Sequence, residues 1–541
     1  MAEHASVTCT QLSLTWPDGT PLLTDLTASF PPGRTGLVGA NGSGKSSLLR
    51  LLAGELTPTA GRVLLTGPVG YLPQQITLAT ELRVEQVLGI ADKRRALAAI
   101  EAGEVTQALL DVVGTDWDVE ERTRAVLEQL GLGEVAPQRT VGELSGGQAV
   151  LLALAAQLLA RPRVLLLDEP TNNLDVHARH RLRQALSSWR QGTLVVVSHD
   201  RDLLEHVDRI AELREGALNF TTGGLRAHEQ AVATRQQAAQ RALRAAESAE
   251  RKHRRELVDA EIKLARRARA GRAAADGLPK IVAGEKKRAA QQSAGKLRAV
   301  GQDRLDAARR QREQAELEVR QDERIRADLP GTAVPGSRVV ARLRGVALPR
   351  GSRAEIDLNL HGPERIALLG RNGSGKTTLL RVLAGQLAAA SGEVSVPVPV
   401  RLLPQRLDVL DERLSVAGNI AALAPGMGTT DIRAQLARML FAGDRAEQPV
   451  SSLSGGERLR ASLAAVLLAE PAPQLLLLDE PTNNLDLGSV EALTGALAGF
   501  GGALVIAAHD VAFLRACQPT RWLLLADELT EIEPQQAESL P

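Results

Sequence analysis

The sequence predicts an α/β chain in which two copies of one parallel-sheet module flank a long helical hairpin. Three observations carry that expectation. Four short motifs occur twice, in the same order, about 330 residues apart, the signature of a duplicated domain. In each copy, apolar runs of strand length end in Gly-rich or acidic turns. Between the copies, residues 225–330 are rich in Ala, Arg, Gln and Glu and almost free of aromatics, which reads as helix without a thick core. The expected boundaries are residues 1–224, 225–330 and 331–541.

Composition bounds the possibilities. With 541 residues the chain is too long for one core, so two or three domains are expected. Its formal charge of +1 conceals an asymmetry. Residues 225–330 hold 26 Lys and Arg against 16 Asp and Glu, a net of +10, and the flanks carry −9. Attraction for polyanions is therefore concentrated in the middle. Cys9 and Cys517 sit near opposite ends. Two isolated thiols make neither a disulfide framework nor a four-ligand metal site, and they fit a reducing cytosol. The first residues lack a basic start followed by an apolar run. No apolar stretch approaches the ~20 residues needed to span a bilayer. A cytoplasmic location is expected, and action at a membrane would need another chain.

In the first module, residues 7–38 alternate apolar and polar between turn signals at Trp16-Pro-Asp-Gly19 and Pro31-Pro-Gly33. They predict strands of one small sheet ending in Thr35-Gly-Leu-Val38. Gly39-Ala-Asn-Gly-Ser-Gly-Lys-Ser46 then leads into a helix beginning near Lys45. Gly39, Gly42 and Gly44, with Asn41 between them, let backbone N–H groups wrap a phosphate. The helix N-terminus adds its partial positive charge. In this GxxxxGK[ST] pattern Lys45 reaches the β- and γ-phosphates, and Ser46 offers a hydroxyl to Mg2+. The second copy, Gly370-Arg-Asn-Gly-Ser-Gly-Lys-Thr377, supplies Gly370, Asn372, Gly373, Gly375, Lys376 and Thr377.

Gln74, in Tyr71-Leu-Pro-Gln-Gln75, is a candidate for sensing Mg2+ and the attacking water, with Gln405 as its counterpart. Residues 82–140 read as mostly helical and carry no evident chemistry, and Trp117 reads as a core anchor. Arg163-Val-Leu-Leu-Leu167 has the continuous apolar character of a central parallel strand. It ends in Asp168 and Glu169. In a site holding Mg2+ and a triphosphate, Asp168 would hold the metal through water, and Glu169 would orient and deprotonate the attacking water. His199, after the strand Thr193–Val197, would contact the γ-phosphate. Asp479, Glu480 and His509 repeat the set in Leu477-Leu-Asp-Glu-Pro and Ala508-His-Asp510.

With Leu144-Ser-Gly-Gly-Gln148 and Leu453-Ser-Gly-Gly-Glu457 beside these motifs, the chain resembles the ATP-binding cassette ATPases. The resemblance implies a fold class of α/β with two P-loop ATP-binding cassette domains joined by a long α-helical hairpin linker. It implies a monomer with an intramolecular cassette dimer, packed head to tail, that hydrolyses ATP with Mg2+. Each ATP would lie between the glycine loop of one cassette and the signature of the other. Lys45, Ser46, Gln74, Asp168, Glu169 and His199 would share one site with Ser454 and Gly456. Lys376, Thr377, Gln405, Asp479, Glu480 and His509 would share the other with Ser145 and Gly147. Two departures stand out. Trp16 fits the aromatic on which such ATPases stack adenine, the alternative being a buried sheet residue. Residues 336–370 contain no aromatic, which leaves adenine at the second site to other groups such as Arg350. Arg458-Leu-Arg460 follows the second signature and Ala149-Val150-Leu151 the first, so the cations there are not duplicated.

Tandem cassettes joined by a charged helical linker resemble the ABC-F subfamily. Its members are cytosolic ATPases of the ribosome's tRNA exit site. Their linker, the P-site tRNA interaction motif, reaches toward tRNA and the peptidyl-transferase centre. Some are general translation factors and others displace ribosome-targeting antibiotics. The implied partners are rRNA and P-site tRNA. From the residues, positions 228–270 predict an outgoing arm of roughly 60 Å. Positions 271–284 form a breaker-rich tip, and 285–328 a returning arm. Leu257, Leu264, Leu297, Val300, Leu305 and Leu317 are the seam candidates. Residues 251–298 carry 15 basic and 5 acidic residues, which suits phosphate contact and shape recognition of folded RNA. Arg266, Arg267, Arg269, Arg272, Lys280, Lys286, Lys287 and Arg288 are the candidate RNA contacts. The alternatives are a solvated coiled-coil spacer, a membrane exporter's ATP-binding subunit and a housekeeping translation factor. A DNA-repair ATPase would need cysteine clusters for zinc, and a chromosome-organising one much longer arms.

Overall fold

The computed structural model describes residues 7–76, 79–172, 174–190, 192–275, 280–318, 329–352, 355–483 and 485–537. The chain forms two compact units, Met1–Leu225 with Glu323–Pro541, and Arg226–Asp322.

In the first unit the strands Val164–Asp168, Thr193–Val197, Leu475–Asp479 and Ala503–Ala507 are buried at every residue. Strands this apolar need cover on both faces, which selects a mostly parallel sheet between two layers. Two six-stranded sheets result. One runs Val69–Leu72, Val164–Asp168, Thr193–Val197, Gly33–Val38, Arg209–Arg214, Ala217–Thr222, with only the last strand antiparallel. The second repeats this order with Val400–Leu403, Leu475–Asp479, Ala503–Ala507, Arg365–Leu369, Arg521–Leu525 and Leu529–Ile532. Alternate side chains feed two cores. Leu166 and Val195 pack with Phe30, Leu48 and Leu52 on one face, whereas Leu165, Leu167 and Val196 pack with Leu152 and Leu154 on the other.

Each module adds a three-stranded antiparallel sheet, Pro21–Phe30, Val7–Thr15, Ala60–Leu65 in the first and Glu355–His361, Val339–Ala347, Ser391–Ser395 in the second. The expectation of a single small sheet over residues 7–38 fails at Gly33–Val38. That strand pairs in parallel with Thr193–Val197 and Arg209–Arg214 in the large sheet. A six-residue strand does not reveal which sheet receives it, because the deciding partners lie more than 150 residues away. Trp117 also departs from expectation. It is 54% exposed, while Val113 and Val119 on either side of it take the core positions at 1% each.

The second unit contains the helices Leu225–Ala275 and Lys280–Glu318. Both are longer toward the tip than expected, and only 276–279 of the breaker segment fall outside the described residues. Gly271 and Gly284 lie within helix, since a lone Gly costs only about 1 kcal/mol there. The arms run antiparallel. Arg312 Nε lies 3.1 Å from Glu250 Oε2, and a Cβ on Gly301 would come within 2.8 Å of Leu257 Cδ1. The seam is thin. Leu305 and Ala308 are buried at 4%, but Val300 is half exposed and Leu317 is 87% exposed, so Leu317 does not belong to it. Leu257 and Leu264 are partly buried. Arg266, Arg267 and Arg269 are exposed. Leu297, Arg272, Lys280, Lys286, Lys287 and Arg288 lie outside the described side chains.

Candidate nucleotide sites

The sheet register aligns three chain exits. Leu37 and Asp168 are both level with Val197, so the glycine loop, the Asp168-Glu169 turn and Ser198-His199 leave neighbouring strands at one edge. In open α/β sheets this carboxyl edge is where ligands bind. Asp479 and Leu368 are level with Ala507 in the second module. The loop itself requires glycine. Gly39 has φ 156°, and a Cβ there would lie 2.5 Å from the Leu213 carbonyl oxygen. Gly44 enters the helix Lys45–Leu52 with φ 99°, a conformation that L side chains avoid.

Lys45 Nζ donates to the carbonyls of Gly39 at 2.8 Å and Ala40 at 3.0 Å. Lys376 Nζ donates to Gly370 O at 2.7 Å and lies 3.2 Å from His509 Nε2. His509 Nε2 also meets Asn372 Oδ1 at 3.1 Å. Thr377 Oγ1 donates to Asp479 Oδ1 at 3.1 Å, and the Ser46 side chain lies close enough to Asp168 to oppose the effect of burial on its carboxyl. Glu169 and Glu480 hold left-handed backbones, φ 48° and 47°, the kind of strain that clusters at working sites.

Two clefts lie over the two loops. The first, about 480 Å³, takes Trp16, Asn41, Gly42, Gly44, Lys45, Ser46, Gln74, Glu169 and His199, together with Gly455 from the other cassette. The second, about 340 Å³, takes Arg350, Asn372, Gly373, Gly375, Lys376, Thr377, Gln405, Glu480 and His509, together with Leu174 and Arg179 from the first cassette. Both volumes suit a small-molecule ligand. Trp16 is 38% exposed, available to a ring rather than buried in the sheet. Gly39, Gly370, Asp168 and Asp479 sit behind the linings. The signature residues Ser145, Gly147, Ser454 and Gly456 stand back from both clefts, with only Gly455 reaching in.

Ser145 and Ser454 are N-caps of the helices Gly146–Leu159 and Gly455–Leu467, accepting from Gln148 N and Glu457 N. Ser454 Oγ also donates to Glu457 Oε2 at 2.7 Å. The cassettes touch through a residue not singled out in the sequence. Asn41 N donates to Asp486 Oδ2 at 2.7 Å across the interface, and Leu487 packs on the first cassette's core. The repeat of Asp175 as Asp486 was the available signal. Arg179 had none, because the second copy has Val490 there.

Burial governs the electrostatics. It pushes Glu169 and Glu480 each up to about 7. It lowers His199 to about 4 and His509 to about 3, with Lys45 and Lys376 adding to the effect. Both imidazoles are therefore neutral at pH 7. His199 Nε2 lies 3.1 Å from Glu169 Oε1, off the angle of a hydrogen bond. Burial also raises Asp168 and Asp479. Asp168 Oδ1, Glu169 Oε1 and both carboxylate oxygens of Glu480 are buried without a hydrogen-bond partner among the described residues. Such an oxygen-only set, one carboxylate beside a hydroxyl and a phosphate cradle, fits Mg2+, which takes few protein ligands and shares phosphate oxygens.

Glu480 keeps its proton up to about pH 7 in the fold, whereas the unfolded chain releases it near 4.5. Stability is thus lost as pH rises through that window. Glu480→Gln removes the loss. Without nucleotide, the variant is expected to be more stable at pH 8 by up to about 3 kcal/mol, read as a higher Tm. The gain should vanish at pH 4.5. A gain independent of pH would contradict the buried-carboxyl account.

The family model described as ABC transporter matches residues 23–172 and 354–483. The tylosin resistance ATP-binding protein TlrC of Streptomyces fradiae is 37% identical over 531 residues, covering 91% of this chain and 92% of TlrC. The mouse (Mus musculus) ATP-binding cassette sub-family F member 3 is 29% identical over 527 residues, 92% of this chain and 68% of that protein. The chain belongs to the ABC-F family. This ABC-F protein also shares its tandem fold with the RNase-L Inhibitor structure, at a TM-score of 0.54 and 19% identity over 95% of this chain and 87% of that one. Its two cassettes are ATP-binding domains of a kind that generally hydrolyses ATP. No described helix is long and apolar enough to cross a membrane.

Proposed function

We propose that this ABC-F protein is an Mg2+-dependent ATP hydrolase that binds the ribosome in an ATP-closed state and leaves after hydrolysis. The supporting observation is the two-sided cleft, in which the first glycine loop faces Gly455 of the other cassette. A nucleotide held between two halves of one chain draws them together, and loss of its terminal phosphate lets them part. Lys45 and Lys376 bind the phosphates. Glu169 and Glu480 orient the attacking water and accept its proton, for which a carboxyl near 7 is well matched to neutral pH. His199 and His509, as neutral imidazoles, donate to or accept from the γ-phosphate and water. Ser145, Gly147, Ser454 and Gly456 close on the nucleotide from the opposite side. Ser46, Gln74 and Asp168, and likewise Thr377, Gln405 and Asp479, would hold Mg2+, which supplies charge neutralisation at the β- and γ-phosphates. Trp16 stacks the first adenine.

The hairpin extends the same reading. Its exposed Arg266, Arg267 and Arg269, with Arg272, Lys280, Lys286, Lys287 and Arg288, contact rRNA and P-site tRNA in the cytoplasm, near the peptidyl-transferase centre. The name of TlrC, a tylosin resistance ATP-binding protein, supports antibiotic resistance as the biological role, here by protection of the ribosome. Purified protein is expected to hydrolyse ATP faster when ribosomes are added. Stimulation by membranes carrying a permease, and none by ribosomes, would instead make the chain an exporter subunit.

A further inference from the structure

The two clefts are unequal in charge. The second is lined by Arg179, Arg350 and Arg371 in addition to Lys376, and the first has no arginine among its lining residues. Two of the three come from the second cassette itself. Arg179 comes from the first. It lies one helical turn beyond Asp175, which caps the helix Val176–Ser187. The matching position beyond Asp486, the cap of Leu487–Ala498, is Val490, buried at 8% in the second cassette's core. An arginine therefore reaches a cleft from the facing cassette at the second site and not at the first.

Its surroundings aim it. Arg179 Nε donates to the Leu174 carbonyl at 3.1 Å, which fixes the stem. Among the described residues its Nη1 forms an ion pair with Asp200 Oδ2 at 3.7 Å, beyond hydrogen-bond length. Only 15% of the side chain is exposed. The guanidinium thus faces a cleft already holding Lys376 and the buried Glu480 and His509. A desolvated cation pinned by its stem, whose ion pair with Asp200 is longer than a hydrogen bond, has donors left to receive a polyanion.

Resting on the assignment of this cleft as an ATP site, we propose that Arg179 contacts the terminal phosphate of ATP at the second site and has no counterpart at the first. Charge accumulates on that phosphate as its bond to the β-phosphate loosens and water attacks. A guanidinium from the facing cassette offsets the charge only when the interface is shut. Arg179 makes the second site the one whose hydrolysis is coupled most tightly to closure. Its influence on Glu480 and His509, both of which it disfavours in the protonated form, acts in the same cleft.

The test isolates each site with a P-loop substitution, Lys45→Ala to leave the second and Lys376→Ala to leave the first. In the Lys45→Ala chain, Arg179→Gln is expected to reduce trapping of ADP with aluminium fluoride by ~10²-fold. It should also erase the preference for ATPγS over ADP, leaving ADP affinity as it was. Arg179→Lys should recover much of the trapping, since it keeps the charge. If Gln and Lys variants behave alike, the side chain merely holds Leu174, and the proposal fails. If Arg179→Gln weakens ATPγS equally in the Lys376→Ala chain, the effect is not confined to the second site, and the proposal also fails. If the Lys45→Ala chain with Arg179 intact binds no nucleotide, the ATP-site assignment falls first.

Discussion

Replacing Glu169 and Glu480 by Gln together is expected to slow ATP turnover by ~10²–10⁴-fold and to leave the chain locked on ribosomes in ATP. Gln has the size of Glu and can hold the same φ near 48°, so the backbone of both turns is kept. What is lost is the group that accepts the water's proton. Binding of ATP does not need that group, and removing a desolvated carboxyl eases the approach of a triphosphate. The measurement is co-sedimentation of the double variant with ribosomes in ATP and in ADP, beside steady-state hydrolysis. A variant that hydrolyses slowly yet stays in the supernatant with ATP would show that closure of the cassettes does not govern ribosome binding.

Neutralising the exposed arm should produce a second large effect. Arg254, Arg255, Arg266, Arg267 and Arg269 are all exposed, and the described residues give none of them an ion pair with a carboxylate. Their joint replacement by Gln is expected to weaken ribosome association ~10²–10³-fold at moderate salt, and to flatten the dependence of log affinity on log salt by about 4. Nucleotide affinity without ribosomes, read on the same preparation, reports whether the cassettes are intact. An unchanged salt slope would make the arm a spacer.

What the sequence revealed, and where it fell short, follows from the range of the forces involved. The glycine loop, the Asp-Glu turn and the His after a strand depend on local conformation: φ values only Gly accepts, a helix start, a strand end. Each is written in consecutive residues, and duplication repeats the text. The apolar strands were legible for the same reason. Gly33–Val38 reads as part of the small sheet but joins the large one, because its partners are remote in the chain. Trp117 reads as core but is exposed, because size alone does not say which of three neighbouring apolar residues points inward. Gly271 and Gly284 read as breakers yet lie in helix, because isolated Gly residues are tolerated there. Asp486 and Arg179 act across the cassette interface, and nothing adjacent to them in the chain states what they face.

The two signatures differ by one atom type, and that difference has a temporal consequence. Ser145 sits beside the neutral amide of Gln148, while Ser454 gives its hydroxyl proton to the carboxylate of Glu457. Under head-to-tail pairing, an incoming phosphate at the first site must win that proton from an anion that also repels it. The second site sets no such toll. Such pairing would order occupancy, the arginine-rich cleft filling early and the tryptophan-lined one completing the closure.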